Sequence, residues 1–323
     1  MFRRIAIILN IVDIPNQAHK THKNSVPYLG GLSIVLTVDV GIIIGYLLLK
    51  LETISFLEIA ILICPPNIMA IVGLIDDVKN LRAVPRLLVQ VFTSIFVILI
   101  FTQNGYLGTP SGNSIFNFAI SSLWIIGITN SLNFIDNLDG GAAGVSVIAA
   151  VTLLISSLGS GQALLASLSA LLLGSTFGFL IWNFYPAKIY LGDSGALFVG
   201  FILATLVIRL SPTGPNRLAN WCVAFLILAI PILDTSVAVL SRLKRRISPF
   251  LGGRDHLSHR LITLGLSRKQ SAISIWLLAL FFAAIAIALQ SANTFQALVL
   301  ELLAGLSWLI LLIAFIKLDF IHN

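Results

Sequence analysis

Apolar residues run along the chain in long unbroken blocks, with neither the two-residue alternation of a half-buried strand nor the narrow stripe of a surface helix. Ten such stretches can be marked, near residues 32–49, 54–75, 87–102, 116–132, 141–158, 162–181, 189–210, 219–240, 271–289 and 297–316. At 1.5 Å of rise per residue, a hydrocarbon core of about 30 Å takes about 20 residues. Backbone polar groups in lipid must be satisfied within the segment, so helices are the only open-chain solution. The pattern predicts an all-α fold, a polytopic transmembrane helical bundle of about ten spans, as one integral-membrane domain over 1–323. The first apolar run, Ile5 to Val12, is too short to span and leads into Asp13-Ile14-Pro15-Asn16-Gln17 without a small-residue cleavage site, so no cleavable signal peptide is expected.

Composition agrees: 58% of residues are hydrophobic and 10% charged, against roughly a quarter charged in a soluble domain. The net charge of +7, from 20 Lys+Arg against 13 Asp+Glu, then reads as topology rather than as a nucleic-acid footprint. Alternating loops place the arm 1–31, 76–86, 133–140, 182–193, 241–270 and the C-terminal tail on one side, with 17 basic residues against 3 on the other: Lys50, Arg209 and Arg217. The positive-inside rule predicts both termini cytoplasmic in the cell membrane. Segment 241–270 carries eight Lys/Arg and one acid, which suits anionic headgroups or an anionic substrate. Cys64 and Cys222 fall inside apolar runs, so neither a disulfide nor a zinc site is expected.

In so apolar a chain the acids carry information, because a carboxylate at a helix centre costs about 2.5–3.5 kcal/mol to insert. Asp76, Asp77, Asp136, Asp139, Asp193 and Asp255 all fall on the predicted cytoplasmic side. Gly73-Leu74-Ile75-Asp76-Asp77 ends an apolar run with adjacent carboxylates, whose repulsion favours a bound cation or one protonated partner. Asn130, Asn133, Asp136 and Asp139 recur at three-residue spacing before Gly140-Gly141, a ladder of oxygen ligands and amide donors if helical; hydrogen bonding between helices is the alternative for the asparagines. Tyr190-Leu191-Gly192-Asp193-Ser194-Gly195 sets a carboxylate between glycines, where free N–H groups are expected to face a phosphate, or where Asp193 caps a helix. In Gly252-Gly253-Arg254-Asp255-His256-Leu257-Ser258-His259-Arg260 the paired histidines suggest zinc, but oxygen ligands elsewhere suit Mg²⁺ or Mn²⁺ and arginine beside histidine suits phosphate.

Taken in order, and with Asp13-Ile14-Pro15-Asn16, His22 and Pro27-Tyr28-Leu29-Gly30-Gly31 in the arm, these elements resemble the polyprenyl-phosphate N-acetylhexosamine-1-phosphate transferases of glycosyltransferase family 4 nearly end to end. That family includes undecaprenyl-phosphate N-acetylglucosamine-1-phosphate transferases and phospho-N-acetylmuramoyl-pentapeptide transferase; the 255–260 segment looks more like the former branch. The resemblance implies transfer of a sugar 1-phosphate from a UDP-N-acetylhexosamine to a polyprenyl phosphate with release of UMP, using Mg²⁺ (or Mn²⁺) at a cytoplasmic site, and is compatible with a homodimer. It implies that Asp193 binds the metal with Asn133, and that Asp76 and Asp77 are catalytic. Asn130, Asp136, Asp139, Arg254, His256, His259 and Arg260 would bind the nucleotide sugar. Asn80, Ser258 and His19 depart from the family pattern. So do the twelve residues before Asp13, where a full transmembrane helix is usual and is expected to be missing here. A transporter is the competing reading, resting on Asp39 and Asp234 inside spans; a scaffold for membrane enzymes is another, which would have no need of Gly192-Asp193-Ser194-Gly195.

Overall fold

The computed structural model describes residues 2–8, 11–13, 26–49, 56–248 and 253–318. Ile14, Pro15, Asn16, His19, His22 and Gly252 lie outside them. The helices are α1 (Phe2–Ile8), α2 (Gly30–Leu49), α3 (Phe56–Lys79), α4 (Ala83–Gln103), α5 (Ser114–Ile135), α6 (Gly141–Gly159), α7 (Ala163–Asn183), α8 (Gly192–Arg209), α9 (Arg217–Ile227), α10 (Ala229–Lys244), α11 (Leu257–Thr263), α12 (Arg268–Leu289) and α13 (Thr294–Leu318). Among the described residues nine helices are long and apolar enough to cross a membrane, and α9 with α10 makes a tenth span if the bent pair is one. The chain is therefore an all-α polytopic bundle and a multi-pass membrane protein.

Each apolar run became a helix, with two differences of detail. The eighth is broken: α9 and α10 meet at 72° around Leu228. Pro231, three residues on, has no N–H to give the carbonyl of Ile227, so the ladder cannot pass straight through. Segment 241–270 is not one loop, because α10 runs on to Lys244, α11 forms within it and α12 starts at Arg268. Caps fix several starts. Asn113 accepts from Phe116 N at 3.0 Å, Asn216 from Ala219 N at 2.9 Å, and Ser267 with Gln270 forms a reciprocal capping box before α12.

Helix α8 is the axis of the bundle, with 83% of its spanning window buried against 11% for α13 at the periphery. It packs on α3, α5 and α2, and its core face carries Leu197, Phe198, Phe201 and Leu203, all nearly inaccessible. A short antiparallel pair, β1 (Val12–Asp13) with β2 (Val26–Pro27), sets Val12 opposite Pro27. From there the chain is zipped to the start of α8: Tyr190 N donates to Pro27 O at 2.8 Å, Gly30 N to Tyr190 O at 3.0 Å and Gly31 N to Leu191 O at 2.9 Å.

Asp39 is tied within the membrane to Asn67 of α3, whose amide donates to its two oxygens at 3.0 and 2.9 Å. The carboxylate thus serves helix pairing, which removes one of the two supports of a transport path.

Candidate active site

The C-terminal ends of α3 and α5, the N-terminus of α8 and the α10–α11 connection meet at one end of the bundle. At that end Asp76 and Asp77, adjacent in sequence, point to different partners. Asp77 crosses to α8 and accepts from Asp193 N at 2.9 Å and Ser194 N at 3.2 Å, so it caps a helix that its own chain reaches more than a hundred residues later. The N–H groups of Asp193 and Ser194, expected to be free to face a phosphate, are thus taken by Asp77. The seam is too close for side chains. A Cβ on Gly73 would run into the Asp193 backbone, and one on Gly192, whose φ is +72°, would sit 2.8 Å from Asp77 Oδ2.

Asp76 is buried, accepts from Leu81 N at 2.7 Å, and is ion-paired to Arg86 at the start of α4. The same Nη1 of Arg86 lies 3.4 Å from Asp193 Oδ2. Arg86 therefore straddles the carboxylates of two helices; it was not singled out in the sequence, where it is one of several basic residues after Asp77. Asp193 keeps 31% of its side chain exposed against 8% for Asp76, so it is the more open of the two.

Helix α5 ends at Ile135, so the three-residue ladder is helical only at Asn130 and Asn133, and Asp136 and Asp139 lie in the turn beyond. Asp136 is pushed well above the usual carboxylate range, first by burial and then by the charges of Asp193, Asp77 and Asp139. Asp139 accepts from Ala187 N at 2.9 Å, and Gly140, at φ +73°, turns the chain into α6. Asn130 belongs to a helix contact: its amide donates to Gln90 Oε1 of α4 at 2.6 Å, as interhelical hydrogen bonding requires. The Asn133 side chain is half-buried and makes no hydrogen bond within the described residues.

The basic segment closes the site from α10. Ser258 donates to Asn137 Oδ1, and the His256 ring lies 5.7 Å from that of Phe134, both beside the Asp136 turn. His256 Nδ1 is 2.7 Å from Asp234 Oδ2, while Asp234 Oδ1 accepts Leu257 N at 2.7 Å. Asp234, fully buried, is thus committed to this segment through both oxygens. His259, 6.4 Å from His256 between ring centres, is pushed down to about 4 by burial and then by the electrostatic effect of His256 and Arg254. Asp255 is held below the usual carboxylate range: burial alone would raise it, but hydrogen bonds and charge from Arg242 and Arg245 outweigh that. Arg254 is exposed. Arg260 is placed apart from this surface, buried, and donates to Asp255 O at 2.8 Å, Ser241 Oγ at 2.7 Å and Phe315 O at 2.5 Å.

Asp76 and Asp193 thus share one guanidinium, Asp77 holds the α8 backbone beside them, and Asp136, raised first by burial, also feels the charges of Asp193 and Asp77. Among the described residues no three His, Cys, Asp or Glu side chains already surround one point. A hard ion of the Mg²⁺ kind takes only one or two carboxylates and completes its shell with water and substrate phosphates. The oxygen donors with room to serve are Asp193 and the unengaged amide of Asn133.

A bundle with carboxylates, a bridging arginine and a histidine-bearing basic segment at one end has the parts of a membrane enzyme that handles phosphate. The chain belongs to glycosyl transferase family 4, whose profile matches residues 59–211, and it has a curated relative across nearly its whole length. It is 33% identical to the "Probable undecaprenyl-phosphate N-acetylglucosaminyl 1-phosphate transferase" of Bacillus subtilis, covering 99% of this chain and 85% of that protein. It is 29% identical to the decaprenyl-phosphate N-acetylglucosaminephosphotransferase of Mycolicibacterium smegmatis, over 85% of this chain and 74% of the relative. Against the undecaprenyl-phosphate alpha-N-acetylglucosaminyl 1-phosphate transferase of Yersinia pestis it is 24% identical, over 88% and 78%.

Proposed function

We propose that the chain transfers N-acetylglucosamine 1-phosphate from UDP-N-acetylglucosamine to undecaprenyl phosphate, releasing UMP and leaving a lipid-linked diphosphate sugar for cell-envelope polysaccharide. The names of the relatives support donor sugar and lipid acceptor alike. The observation that carries the reading is the Asp77 cap, which fixes Asp193 beside Asp76 and Arg86 at the end of the bundle where the basic segment also lies. The Lys/Arg distribution supports a cytoplasmic position for that end, with the protein in the cell membrane.

In this reading an oxygen of the lipid phosphate attacks the β-phosphorus of the UDP-sugar. The new P–O bond forms as the bond from that phosphorus to the bridging oxygen breaks, and the electron pair leaves on UMP. Arg86 offsets repulsion between the two anions and orients the attacking phosphate against Asp76. His256, whose Nδ1 is held by Asp234, presents its other ring nitrogen to the donor diphosphate, and Arg254 adds charge there. Mg²⁺, held by Asp193 with Asn133, would supply charge neutralisation at the departing phosphate. Asp77 is a positioning residue, because both its oxygens are occupied by α8.

The test is release of UMP from a panel of UDP-sugars in the presence of undecaprenyl phosphate, with Asp193→Asn as the diagnostic variant. It should stay folded in the membrane fraction while losing most turnover and its Mg²⁺ response. Ser194→Ala should remain within about tenfold of the parent, since the Ser194 hydroxyl is buried without a hydrogen-bond partner among the described residues and even a full hydroxyl hydrogen bond is worth only about 1 kcal/mol. Wild-type activity of Asp193→Asn across a Mg²⁺ titration would refute the metal assignment, and equal use of UDP-N-acetylmuramoyl-pentapeptide would refute the donor.

A further inference from the structure

At the opposite end of the bundle a cavity of about 480 Å³ opens between the α4–α5 connection, α5, α8, α9 and α13, a size within the range of about 300–1,000 Å³ common for small-molecule sites. Its walls are apolar, with Phe116, Ile120, Ile208, Phe225 and Ala304 among them. Thr109, Asn117, Ser121 and Trp221 add polar groups to the lining, but two atoms stand out. Trp124 Nε1 and Glu301 Oε1 both line the cavity, both are buried, and neither has a hydrogen-bond partner among the described residues. The six other buried side-chain atoms in that condition are Ser or Thr hydroxyls, which rotate freely; an indole N–H and a carboxylate do not. Nearby polar groups are already used: Trp221 Nε1 donates to Thr109 O at 3.1 Å, and Asn117 Oδ1 accepts from Ser111 N at 2.8 Å.

Depth makes these two atoms significant. Glu301 is seven residues into α13 and Trp124 ten into α5, so about 10 and 15 Å along helices that start at this end. A carboxylate oxygen and an indole N–H buried without partners at such depth each carry a free-energy cost unless something supplies the complement. The two basic residues with known partners near this end are engaged elsewhere: Arg209 pairs with Glu58 at 3.2 Å and Arg217 donates to Ser111 O at 2.8 Å. The missing complement is a cation for Glu301 beside an oxygen acceptor for Trp124, carried on an apolar body.

We infer that this cavity is a lipid-binding site for an aminophospholipid, with the ammonium on Glu301, a phosphate or ester oxygen on Trp124 and the upper part of an acyl chain along the apolar wall. A phosphoethanolamine headgroup carries its ammonium two carbons from the phosphate, which matches one cation and one acceptor in a single pocket. An anionic phospholipid without an amine sets negative charge against Glu301 and is disfavoured there.

The test is native mass spectrometry of the full chain exchanged into micelles holding equal phosphatidylethanolamine and phosphatidylglycerol. The parent should retain one phosphatidylethanolamine with at least about tenfold preference. Glu301→Gln should bring the ratio of the two lipids close to one. Trp124→Phe keeps the ring and removes the donor, so it should weaken retention of both about fivefold without changing the ratio. Gly305→Leu fills the cavity, since a Cβ there meets nothing within 4 Å, and should abolish retention. Equal retention by the parent, or an unchanged ratio in Glu301→Gln, overturns the proposal. Should Glu301→Gln fail to fold, undiminished retention by Trp124→Phe overturns it instead.

Discussion

Asp77→Asn separates a positioning carboxylate from a reacting one. In the parent, two oxygens meet two N–H donors, at 2.9 and 3.2 Å. An amide offers one oxygen, so one of the two donors would face an NH₂ group and stay unsatisfied inside the bundle. Losing a charge-assisted hydrogen bond costs about 1.5–3 kcal/mol, and losing negative charge at a helix N-terminus costs about 0.3–1 more. The variant should therefore lose about 2–4 kcal/mol, which at about 2 °C per kcal/mol for a long chain lowers the unfolding midpoint by about 4–8 °C. Turnover should fall as well, because Asp193 is set by this contact and a shift of about 1 Å at a reacting centre can cost about a hundredfold. Thermal unfolding in detergent and UMP release on the same preparation measure both. A variant that loses turnover with an unchanged midpoint would refute the capping role and return Asp77 to the chemistry; one unchanged in both would refute the positioning argument entirely.

Arg86→Ala should leave Asp76 and Asp193 facing each other without a counter-charge and lower turnover by at least about a hundredfold, with Arg86→Lys retaining part of it; equal loss in both would show that geometry matters and charge does not. His259 has a folded-state value near 4 against about 6.5 unfolded, so the unfolded chain binds the extra proton between those values and stability should rise with pH across that window. Unfolding midpoints between pH 4.5 and 6.5 should show that slope, and His259→Gln should flatten it. Topology can be read by impermeant thiol labelling in a background with Cys64 and Cys222 replaced: Lys79→Cys should react only from the cytoplasm and Ser114→Cys only from outside, and the reverse would invert the orientation.

The spans were legible because lipid demands helices of a set length, and ten apolar blocks of that length leave few alternatives. What each polar residue does was much less legible. Asp77 and Asp193 were both visible as carboxylates beside glycines, but that one caps the other's helix depends on α3 and α8 packing at Gly73, 120 residues from the contact in sequence. Arg86 carried no local signature, and the Gln90 partner of Asn130 lies 40 residues away on another helix. Asp234 is open in the sequence to a transport path or to helix pairing alike, because nothing near it in the chain announces His256. Helix lengths follow from local composition; side-chain partners follow from which helices become neighbours.

The contacts of Arg260 with Phe315 and of Trp308 with Ala229, at 2.5 and 3.1 Å, bear on how this protein can be cut and recombined. The last helix is scarcely enclosed by the bundle, so it looks like a detachable module, suited to exchange between relatives or to removal when fusing a tag. Yet it supplies the carbonyl that anchors the arginine behind the basic segment, and its indole grips the carbonyl at the start of α10, next to the bend. A chimera joined between α12 and α13 would inherit a foreign anchor for its basic segment. The safe crossover lies earlier, ahead of α9, so that the bend, the basic segment and the last helix travel as one inherited block.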